Sequence, residues 1–433
     1  MSSVIVLNQG QQDAADAFFE FLLSEEREMI ISGPPGVGKT ALMGHLIDKV
    51  MPMYHETCRL MALEAEYDEV VMAATTNKAA EVLSEATGRP TSTIQSFMNL
   101  IVRDDYSTGR SVLKRTDNWV VHTRKIIFVE ECSTIDSVLD QMIQEGTHAC
   151  KIVYVGDRNQ IGPIMEDISP IYKRNLRIVE LTQPVRNAGQ PALMELCDQL
   201  RRTVETGVFE PIRMVPGVIE WLDDQGMEAA MDNMFKTQTD DARILAFTNH
   251  RVTQYNDHIR GVRALPLEYQ VGERLVSNSA IRVKNQQVSV EERVWITRLD
   301  DRVDQIAFPD GATLDVRHGD IQTRFKGTLR DVPIPVDRDH FTSLIKYFGR
   351  LKNWPAYYRL KNGFPDLRPS DASTFHKAQG STYDTVFIDA GNLSTCHQAD
   401  TVARMLYVAA SRPRNRVYFY GNLAPKYGGL ILP

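Results

Sequence analysis

Residues 33 to 40 have the types and spacing of a phosphate-binding loop. They read Gly33-Pro-Pro-Gly-Val-Gly38-Lys39-Thr40, which fills every fixed position of the pattern G-x-x-x-x-G-K-[ST]. In such a loop the backbone N–H groups surround phosphates, Lys39 reaches the β- and γ-phosphate oxygens, and the Thr40 hydroxyl binds Mg²⁺. An apolar run precedes the loop and a helical pattern follows it, so the strand–loop–helix context is right. The residues predicted to contact a nucleoside triphosphate are Gly33, Pro34, Pro35, Gly36, Val37, Gly38, Lys39 and Thr40.

Two carboxylates stand at the end of the apolar run 126–129. At such a strand end, Glu130 is suited to hold Mg²⁺, and Glu131 is suited to orient or deprotonate the water that attacks the terminal phosphate. A solvated acidic strand end is the alternative. The order after the phosphate loop favours the catalytic interpretation.

Three further polar residues are candidates for the same chemistry. Gln160 follows an apolar run that ends at Gly156, and its neutral amide suits a sensor of the γ-phosphate. Arg186 and Arg412 are candidates for stabilising charge on the transferred phosphoryl group. Taken alone, each arginine also fits a surface salt bridge.

Composition limits the classes of function. The 433 residues are 43% hydrophobic and 24% charged, as in ordinary globular proteins of two to four domains. A net charge of −7 excludes a generally basic nucleic-acid coat but not a local basic groove. The five cysteines form no C-x-x-C pair, which favours a reducing compartment and argues against a zinc site. Without an 18-residue apolar run or a charged leader, we expect a cytoplasmic protein with no membrane segment.

The order of apolar runs predicts two α/β regions. Up to about residue 180, apolar runs alternate with helical patterns, which is typical of a parallel sheet with crossover helices. A second such region starts near residue 180. The strand candidates are 29–31, 70–74, 125–129 and 151–155 in the first region, and 243–247, 385–389 and 416–420 in the second.

Two segments interrupt this order. Residues 101–116 predict a small polar hairpin that turns near 107–109. Residues 266–370 predict a β-rich insertion, with a small barrel as one form, that ends in a helical, aromatic and basic stretch at 341–359. The strand candidates in this insertion are 273–276, 287–296 and 313–316.

Ordered blocks along almost the whole chain carry a family resemblance. The block from Ser373 to Gly380, Ser-Thr-Phe-His-Lys-Ala-Gln-Gly, is very specific. Through this block and the others given below, the chain resembles superfamily 1B DNA helicases of the bacteriophage Dda type, which are related to the RecD and Pif1 group. One departure is Glu130, where the family usually has aspartate. The matching blocks are 7–11, 33–40, 73–80, 91–97, 130–131, 156–160, 181–186, 246–249, 372–380 and 407–412.

The resemblance implies an α/β fold with two RecA-like motor domains and ATP between them. Gln11 would read the adenine and Gly380 would line the ATP site. The hairpin would be a strand-separating pin with Tyr106 near its tip. The implied units are motor domain 1A at 1–98 and 118–180, the pin 1B at 99–117, motor domain 2A at 181–265 and 371–433, and a β-rich SH3-like insertion 2B at 266–370.

The resemblance also implies an ATP-dependent helicase that moves 5′ to 3′ on single-stranded DNA and uses Mg²⁺. Its DNA partners would be single strands and their junctions with duplex. Its protein partners would be single-strand-binding or replication proteins, and its process would be replication or recombination. We expect a monomer in the cytoplasm, which is that of the host cell if the chain is encoded by a phage. Alternatives are a translocase that displaces bound proteins with little unwinding, or a DNA-binding recruitment factor with weak ATPase. The implied DNA contacts are Thr75, Thr76, Asn77, Thr93, Gln95, Phe247, Asn249, Thr374 and His376.

Overall fold

The structure is a computed structural model, which describes residues 6–67, 69–163, 166–183, 190–283, 286–324 and 327–432. Three sheets of five or six strands dominate it, two of them parallel and one antiparallel. The predicted α/β class with two parallel sheets is confirmed. Within the described ranges, no helix is long and apolar enough to cross a lipid bilayer.

The first parallel sheet has the strand order β10-β1-β9-β7-β2-β3. The strands of this part of the chain are β1 (Glu28–Ser32), β2 (Glu69–Ala74), β3 (Thr91–Thr93), β4 (Leu100–Asp105), β5 (Arg110–Arg115), β6 (His122–Thr123), β7 (Lys125–Glu130), β8 (Thr147–His148), β9 (Lys151–Gly156) and β10 (Arg177–Glu180). The helices are α1 (Gln9–Leu23), α2 (Lys39–His45), α3 (Met51–Leu60), α4 (Asn77–Thr87), α5 (Ile94–Phe97) and α6 (Ser137–Glu145). A π-helical segment, Leu46–Val50, joins α2 to α3.

Both faces of this sheet are covered by helices. Met29 and Ile31 of β1 pack with Phe18 of α1 on one face, and Ile30 packs with Leu139 of α6 on the other. Because successive side chains point to opposite faces, a strand that is buried on both sides is a continuous apolar run. This is why the interior strands were recognisable in the sequence.

The second parallel sheet has the order β12-β23-β22-β13-β21. The first part of this region contains β11 (Ile212–Arg213), β12 (Ile219–Leu222) and β13 (Ala242–Ala246), with α7 (Pro191–Thr206), α8 (Asp224–Met234) and α9 (Asn249–Val262). An antiparallel insertion follows, with β14 (Arg274–Ser277), β15 (Ile281–Val283), β16 (Gln286–Val288), β17 (Arg293–Ala307), β18 (Thr313–Thr323), β19 (Thr328–Pro335), α10 (Arg338–Arg350), α11 (Trp354–Gly363) and β20 (Leu367–Arg368). The chain then completes the sheet with β21 (Ala372–Thr374), β22 (Tyr383–Asp389) and β23 (Pro413–Tyr420), with the helices α12 (Phe375–Ala378), α13 (Ala390–Leu393) and α14 (Ala399–Ala410). The last strand, β24 (Leu430–Ile431), pairs with β11 in a separate two-stranded sheet.

The insertion is a sheet of order β19-β18-β17-β14-β20 that carries α10 and α11. One strand prediction in it is wrong: residues 287–296 are not a single strand, because β16 ends at Val288 and β17 begins at Arg293. A turn separates them, in which Glu291 has a φ of 65°. The apolar residues Val288 and Val294 both lie in the core of the insertion, which gave the segment its strand-like pattern.

Candidate nucleotide and DNA sites

The phosphate loop connects β1 to α2 at the carboxyl edge of the first sheet. The Gly33 N–H donates to the Gly156 carbonyl oxygen over 3.1 Å. A Cβ on Gly33 would lie 2.6 Å from the Leu181 carbonyl oxygen, so only glycine fits where the loop leaves the sheet. Lys39 Nζ donates to the carbonyl oxygens of Gly33 at 2.7 Å and Pro34 at 3.1 Å. The ammonium group is therefore held inside the curve of the loop.

Gln11 also contacts the loop. Its Nε2 donates to the Val37 carbonyl oxygen over 3.0 Å, and both residues are buried. Gln11 is fixed at the start of α1 by a reciprocal capping box with Asn8. The structure thus brings Gln11 to the loop segment formed by Pro35, Gly36, Val37 and Gly38.

The two predicted carboxylates lie at the end of β7, opposite the start of α2. Thr40 Oγ1 donates to Glu130 Oε1 over 3.3 Å. Burial and, to a smaller extent, the charge of Glu131 raise the pKa of Glu130 to about 7, a shift that Lys39 opposes. Burial also lowers the pKa of Lys39, while Glu131 and Glu130 are among the acids that oppose that shift. A cation between Thr40 and Glu130 would relieve the cost of ionising the carboxylate pair.

Glu131 has an unusual backbone conformation, with φ 56° and ψ 40° in the left-handed region. Its carbonyl oxygen accepts hydrogen bonds from Thr75 Oγ1 at 3.1 Å and Thr134 Oγ1 at 3.0 Å. Its side chain accepts from Gln379 Nε2 at 3.2 Å, and the same amide donates to Ser133 Oγ. Non-glycine residues in this region concentrate at functional sites, where the surroundings hold them. Gln379 follows α12, so this contact joins the two parallel sheets.

The second sheet contributes two more predicted residues to this cleft. A Cβ on Gly380 would lie 3.6 Å from Glu131 Oε1, which puts the Gly380 backbone beside that carboxylate. Arg412 follows α14 and is 3% exposed. Its guanidinium donates to the carbonyl oxygens of Val408 and Ser381 at 2.9 and 3.2 Å. Burial lowers the pKa of Arg412, and the nearby Glu131 opposes that shift. Arg186 lies outside the described residues.

Gln160 lies on the loop after β9, at the border between the sheets. Its Nε2 is 3.4 Å from Asp157 Oδ2, while its Oε1 is buried with no hydrogen-bond partner in the described part of the chain. Tyr407 donates to the same carboxylate oxygen of Asp157 at 2.6 Å, and Arg404 donates to the Gln160 carbonyl oxygen at 3.0 Å. From the sequence, Tyr407 is included in the block 407–412 without a role of its own, and Arg404 is not named. Their three-residue spacing on α14 was the available signal.

The predicted DNA contacts lie at equivalent edges of the two parallel sheets. Strands β2 and β3 pair in parallel, as do β13 and β21, so the residues after them share a carboxyl edge. Thr76 and Thr248 occupy the same place in the two sheets, since each caps the helix that follows its strand through its hydroxyl. The exposed members of the predicted set are Thr76, Asn77, Asn249 and His376.

Other predicted DNA contacts are engaged within the protein. Thr75 and Thr374 are buried, and Thr93 caps α5 through its hydroxyl. Gln95 donates to the Thr75 carbonyl oxygen over 3.3 Å. The partly buried Phe247 packs against the core of the second sheet. The exposed residues are therefore better suited to direct contact with a ligand than these five.

The hairpin of β4 and β5 is braced by α11 of the insertion. The ring centroids of Tyr106 and Tyr358 are 5.0 Å apart. Trp354 covers Gly109, whose φ of +71° and lack of a side chain permit the contact. Asn362 Nδ2 also donates to an Asp104 carboxylate oxygen over 2.7 Å. The hairpin tip is thus held against a second element that is far away in the sequence.

Two protein families match successive parts of the chain. One, an AAA domain, matches residues 6–227, which is more than half of the chain. The other, a UvrD-like helicase C-terminal domain, matches residues 369–420. The chain belongs to the AAA domain family. Together with the relatives below, the two matches support a superfamily 1B helicase of the Dda and Pif1 type.

Similar proteins span nearly the whole chain. The ATP-dependent DNA helicase dda of Enterobacteria phage T4 is 23% identical over 472 aligned positions, which cover 95% of this chain and 99% of the relative. One solved structure is of a Pif1 helicase and concerns DNA unwinding at forked double-stranded DNA by two coordinating Pif1 helicases. Its TM-score is 0.54 at 15% identity, and the match covers 99% of this chain and 95% of the Pif1 chain. The Bacteroides Pif1 helicase in complex with ADP-AlF3 and single-stranded DNA has a TM-score of 0.52 at the same identity and coverage. These structures share the fold of this chain.

Proposed function

We propose that the chain is an ATP-dependent DNA helicase that moves 5′ to 3′ on single-stranded DNA and unwinds duplex. The observation that carries the proposal is the hydrogen bond between Glu131 of the first sheet and Gln379 of the second. It makes the predicted hydrolytic carboxylate a shared part of a cleft between two sheets. A cleft that closes on a nucleotide and opens after hydrolysis can drive movement. The direction rests on the resemblance to superfamily 1B helicases.

The residues of the cleft fit Mg²⁺ and ATP. Lys39 would hold the β- and γ-phosphates in the loop, and Gln11 would contact the adenine base of ATP. Thr40 and Glu130 would hold Mg²⁺, which neutralises phosphate charge when bound. Among the described residues there is no group of three or more His, Cys, Asp or Glu side chains that could cage a metal. This agrees with an ion held by one or two protein ligands and the phosphates.

Hydrolysis requires three further roles. Glu131 would orient the attacking water and accept its proton. The Oε1 of Gln160, which has no hydrogen-bond partner among the described residues, would accept a hydrogen bond from that water. Arg412 would stabilise charge on the γ-phosphoryl group, with Arg186 as a second candidate. For Arg412 this means leaving the Val408 and Ser381 carbonyl oxygens that it now contacts. That exchange would link closure of the cleft to catalysis.

Single-stranded DNA would cross the equivalent carboxyl edges of the two sheets. Thr76, Asn77, Asn249 and His376 are exposed there and carry hydroxyl, amide and imidazole groups suited to phosphate contact. The helices α4 and α9 also begin at this edge, and helix N-termini favour phosphate. With one set of contacts on each sheet, opening and closing of the cleft would move one set along the strand relative to the other.

We assign the unwinding step to the hairpin at 99–117. The motor domains would be 1–98 with 118–180, and 181–265 with 371–433, while residues 266–370 would form the brace that holds the hairpin through Trp354 and Tyr358. A rigid hairpin beside the strand is suited to separate it from its complement. We propose a cytoplasmic monomer that works with single-strand-binding or replication proteins, in the host cell if the chain is encoded by a phage.

An unwinding assay on two substrates tests the proposal. Purified protein with Mg²⁺ and ATP is given a duplex with a 5′ single-stranded tail and, separately, one with a 3′ tail, with Lys39→Ala as the inactive control. We expect strand separation on the 5′-tailed substrate only. Unwinding only from the 3′ tail would reverse the direction, and ATP turnover with neither duplex separated would refute unwinding.

A second candidate function is a translocase with little unwinding. It is favoured by the packing of Tyr106 on Tyr358, which restricts the aromatic ring at the hairpin tip from inserting between bases. Displacement of streptavidin from biotinylated single-stranded DNA, without strand separation, would support it.

A further inference from the structure

Side chains from α14 hold the loop that carries Gln160. Arg404 Nη1 donates to the carbonyl oxygens of Arg158 at 2.8 Å and Gln160 at 3.0 Å. The Tyr407 hydroxyl donates to Asp157 Oδ2 at 2.6 Å. Arg404 is 8% exposed and Tyr407 is fully buried. Three hydrogen bonds therefore fix one short loop of the first sheet to one helix of the second.

Asp157 is the shared acceptor of this contact. Its Oδ1 accepts from the backbone N–H of Asn159, and its Oδ2 accepts from both Tyr407 and the Gln160 amide. Burial raises the pKa of Tyr407 well above its usual range, and the Asp157 charge adds to this. The hydroxyl therefore stays protonated and remains a donor. Bonds from a neutral donor to a carboxylate are stronger than those between neutral groups.

The same helix leads directly to Arg412. Arg404 and Tyr407 are three residues apart and so lie on one face of α14, which ends at Ala410. Residues Val402 to Ala410 are all buried, so the helix is packed from Val402 to its end. A second link beside it joins Asn159 Nδ2 to Glu205 Oε1 of α7 over 2.8 Å. The Gln160 loop and Arg412 are thus attached to one rigid element.

We propose that Tyr407 and Arg404 are positioning residues that set Gln160 against the reacting phosphate in the same conformation that delivers Arg412. The inference rests on the proposed function, because it assigns the two residues to the same hydrolysis step. Without the Tyr407 hydroxyl, Asp157 loses the shortest of the hydrogen bonds that hold its carboxylate, and the Gln160 amide loses a firmly held acceptor. Small displacements of a group that orients a nucleophile lower the rate strongly.

A mutant cycle with Gln160 tests this assignment. We measure kcat and KM for DNA-stimulated ATP hydrolysis in wild type, Tyr407→Phe, Gln160→Ala and the double variant. Tyr407→Phe should lower kcat by about tenfold, with KM for ATP and the Kd for single-stranded DNA changed by less than about twofold. The double variant should be no slower than Gln160→Ala, because Tyr407 acts through Gln160.

Tyr427→Phe is the matched control. Tyr427 is also buried, and its hydroxyl also donates over 2.6 Å, but to the Cys396 carbonyl oxygen within the second sheet's own region. It should leave kcat unchanged. If Tyr407→Phe does not fold, Arg404→Lys enters the same cycle, since lysine keeps the charge without the guanidinium's fixed donor geometry.

The outcomes separate this inference from the proposed function. A double variant whose rate loss is the product of the two single losses would overturn the inference and leave the helicase proposal intact. An unchanged kcat in Tyr407→Phe or in Gln160→Ala would overturn it as well. A wild-type protein with no DNA-stimulated ATP hydrolysis would overturn the proposed function and this inference together.

Discussion

Replacing Glu130 by glutamine tests the electrostatics of the carboxylate pair. Burial, with the charge of Glu131, raises the pKa of Glu130 from 4.5 to about 7. That difference, about 2.5 pKa units, corresponds to about 3 kcal/mol of folding free energy. The pKa of Glu130 is higher in the folded state than in the unfolded state. The contribution of protonated Glu130 to folding stability is therefore complete below pH 4.5 and is lost as the pH rises through 7.

The variant should therefore gain stability over wild type as the pH rises. Glutamine does not ionise, and its amide oxygen can still accept the Thr40 hydrogen bond. Without nucleotide or Mg²⁺, the difference in unfolding free energy in favour of Glu130→Gln should grow from less than about 1 kcal/mol near pH 5 to about 3 kcal/mol near pH 8. For a folded unit of about 150 to 250 residues, this difference in free energy corresponds to a rise in Tm of roughly 6 to 12 °C near pH 8. Thermal unfolding across this pH range measures it.

A control and a ligand sharpen the test. Glu25→Gln removes an exposed carboxylate of the same α/β region and should show no such pH-dependent gain. Added Mg²⁺ and a non-hydrolysable ATP analogue should reverse the order, because wild type gains a metal ligand that the variant lacks. If Glu130→Gln is less stable than wild type near pH 8 without ligand, or if the difference is independent of pH, the electrostatic reasoning is wrong.

Three further perturbations address the nucleotide site, the hairpin and the DNA path. Lys39→Ala should lower DNA-stimulated phosphate release by about 10²-fold or more, because it removes the cation that contacts the phosphates. Arg412→Ala should lower kcat with little change in ATP affinity, because its proposed contact forms with the charge of the transition state. Gly109→Ala should slow unwinding and spare ATP hydrolysis on single-stranded DNA, because a Cβ there would lie 2.4 Å from the Trp354 ring. The logarithm of single-strand affinity, from fluorescence anisotropy, should fall linearly with the logarithm of salt concentration.

Each of these has a contradicting result. Full turnover by Lys39→Ala would remove the phosphate loop from the mechanism. Equal losses of ATP affinity and rate in Arg412→Ala would limit that residue to ground-state binding. A parallel loss of ATP hydrolysis in Gly109→Ala would make the hairpin contact a general structural one, and a flat salt response would exclude a phosphate-contacting groove.

The interior strands of both parallel sheets were predictable from the sequence, and the edge strands were not. Runs at 29–31, 70–74, 125–129 and 151–155 correspond to the four inner strands of the first sheet, and those at 243–247, 385–389 and 416–420 to the inner strands of the second. Inner strands are covered on both faces and so are continuously apolar. The missed strands β3, β10, β12 and β21 are the four edges, which are short and mostly only partly buried.

The sequence by itself determined the parts of the site that are built from residues adjacent in the chain. The phosphate loop from Gly33 to Thr40 and the carboxylate at Glu130 are each formed by one strand and the residues that directly follow it. Local spacing and backbone preference are enough to specify such units.

Only the tertiary structure decided which groups meet across the cleft. Gln379 reaches Glu131 from 248 residues away, and Tyr407 reaches Asp157 from 250. The same holds for the brace of Trp354 on Gly109. No periodicity records these pairs, because they arise from how the two parallel sheets and the insertion pack against one another. The phosphate loop is a local property of the chain, whereas the cleft that it lines is a property of the fold.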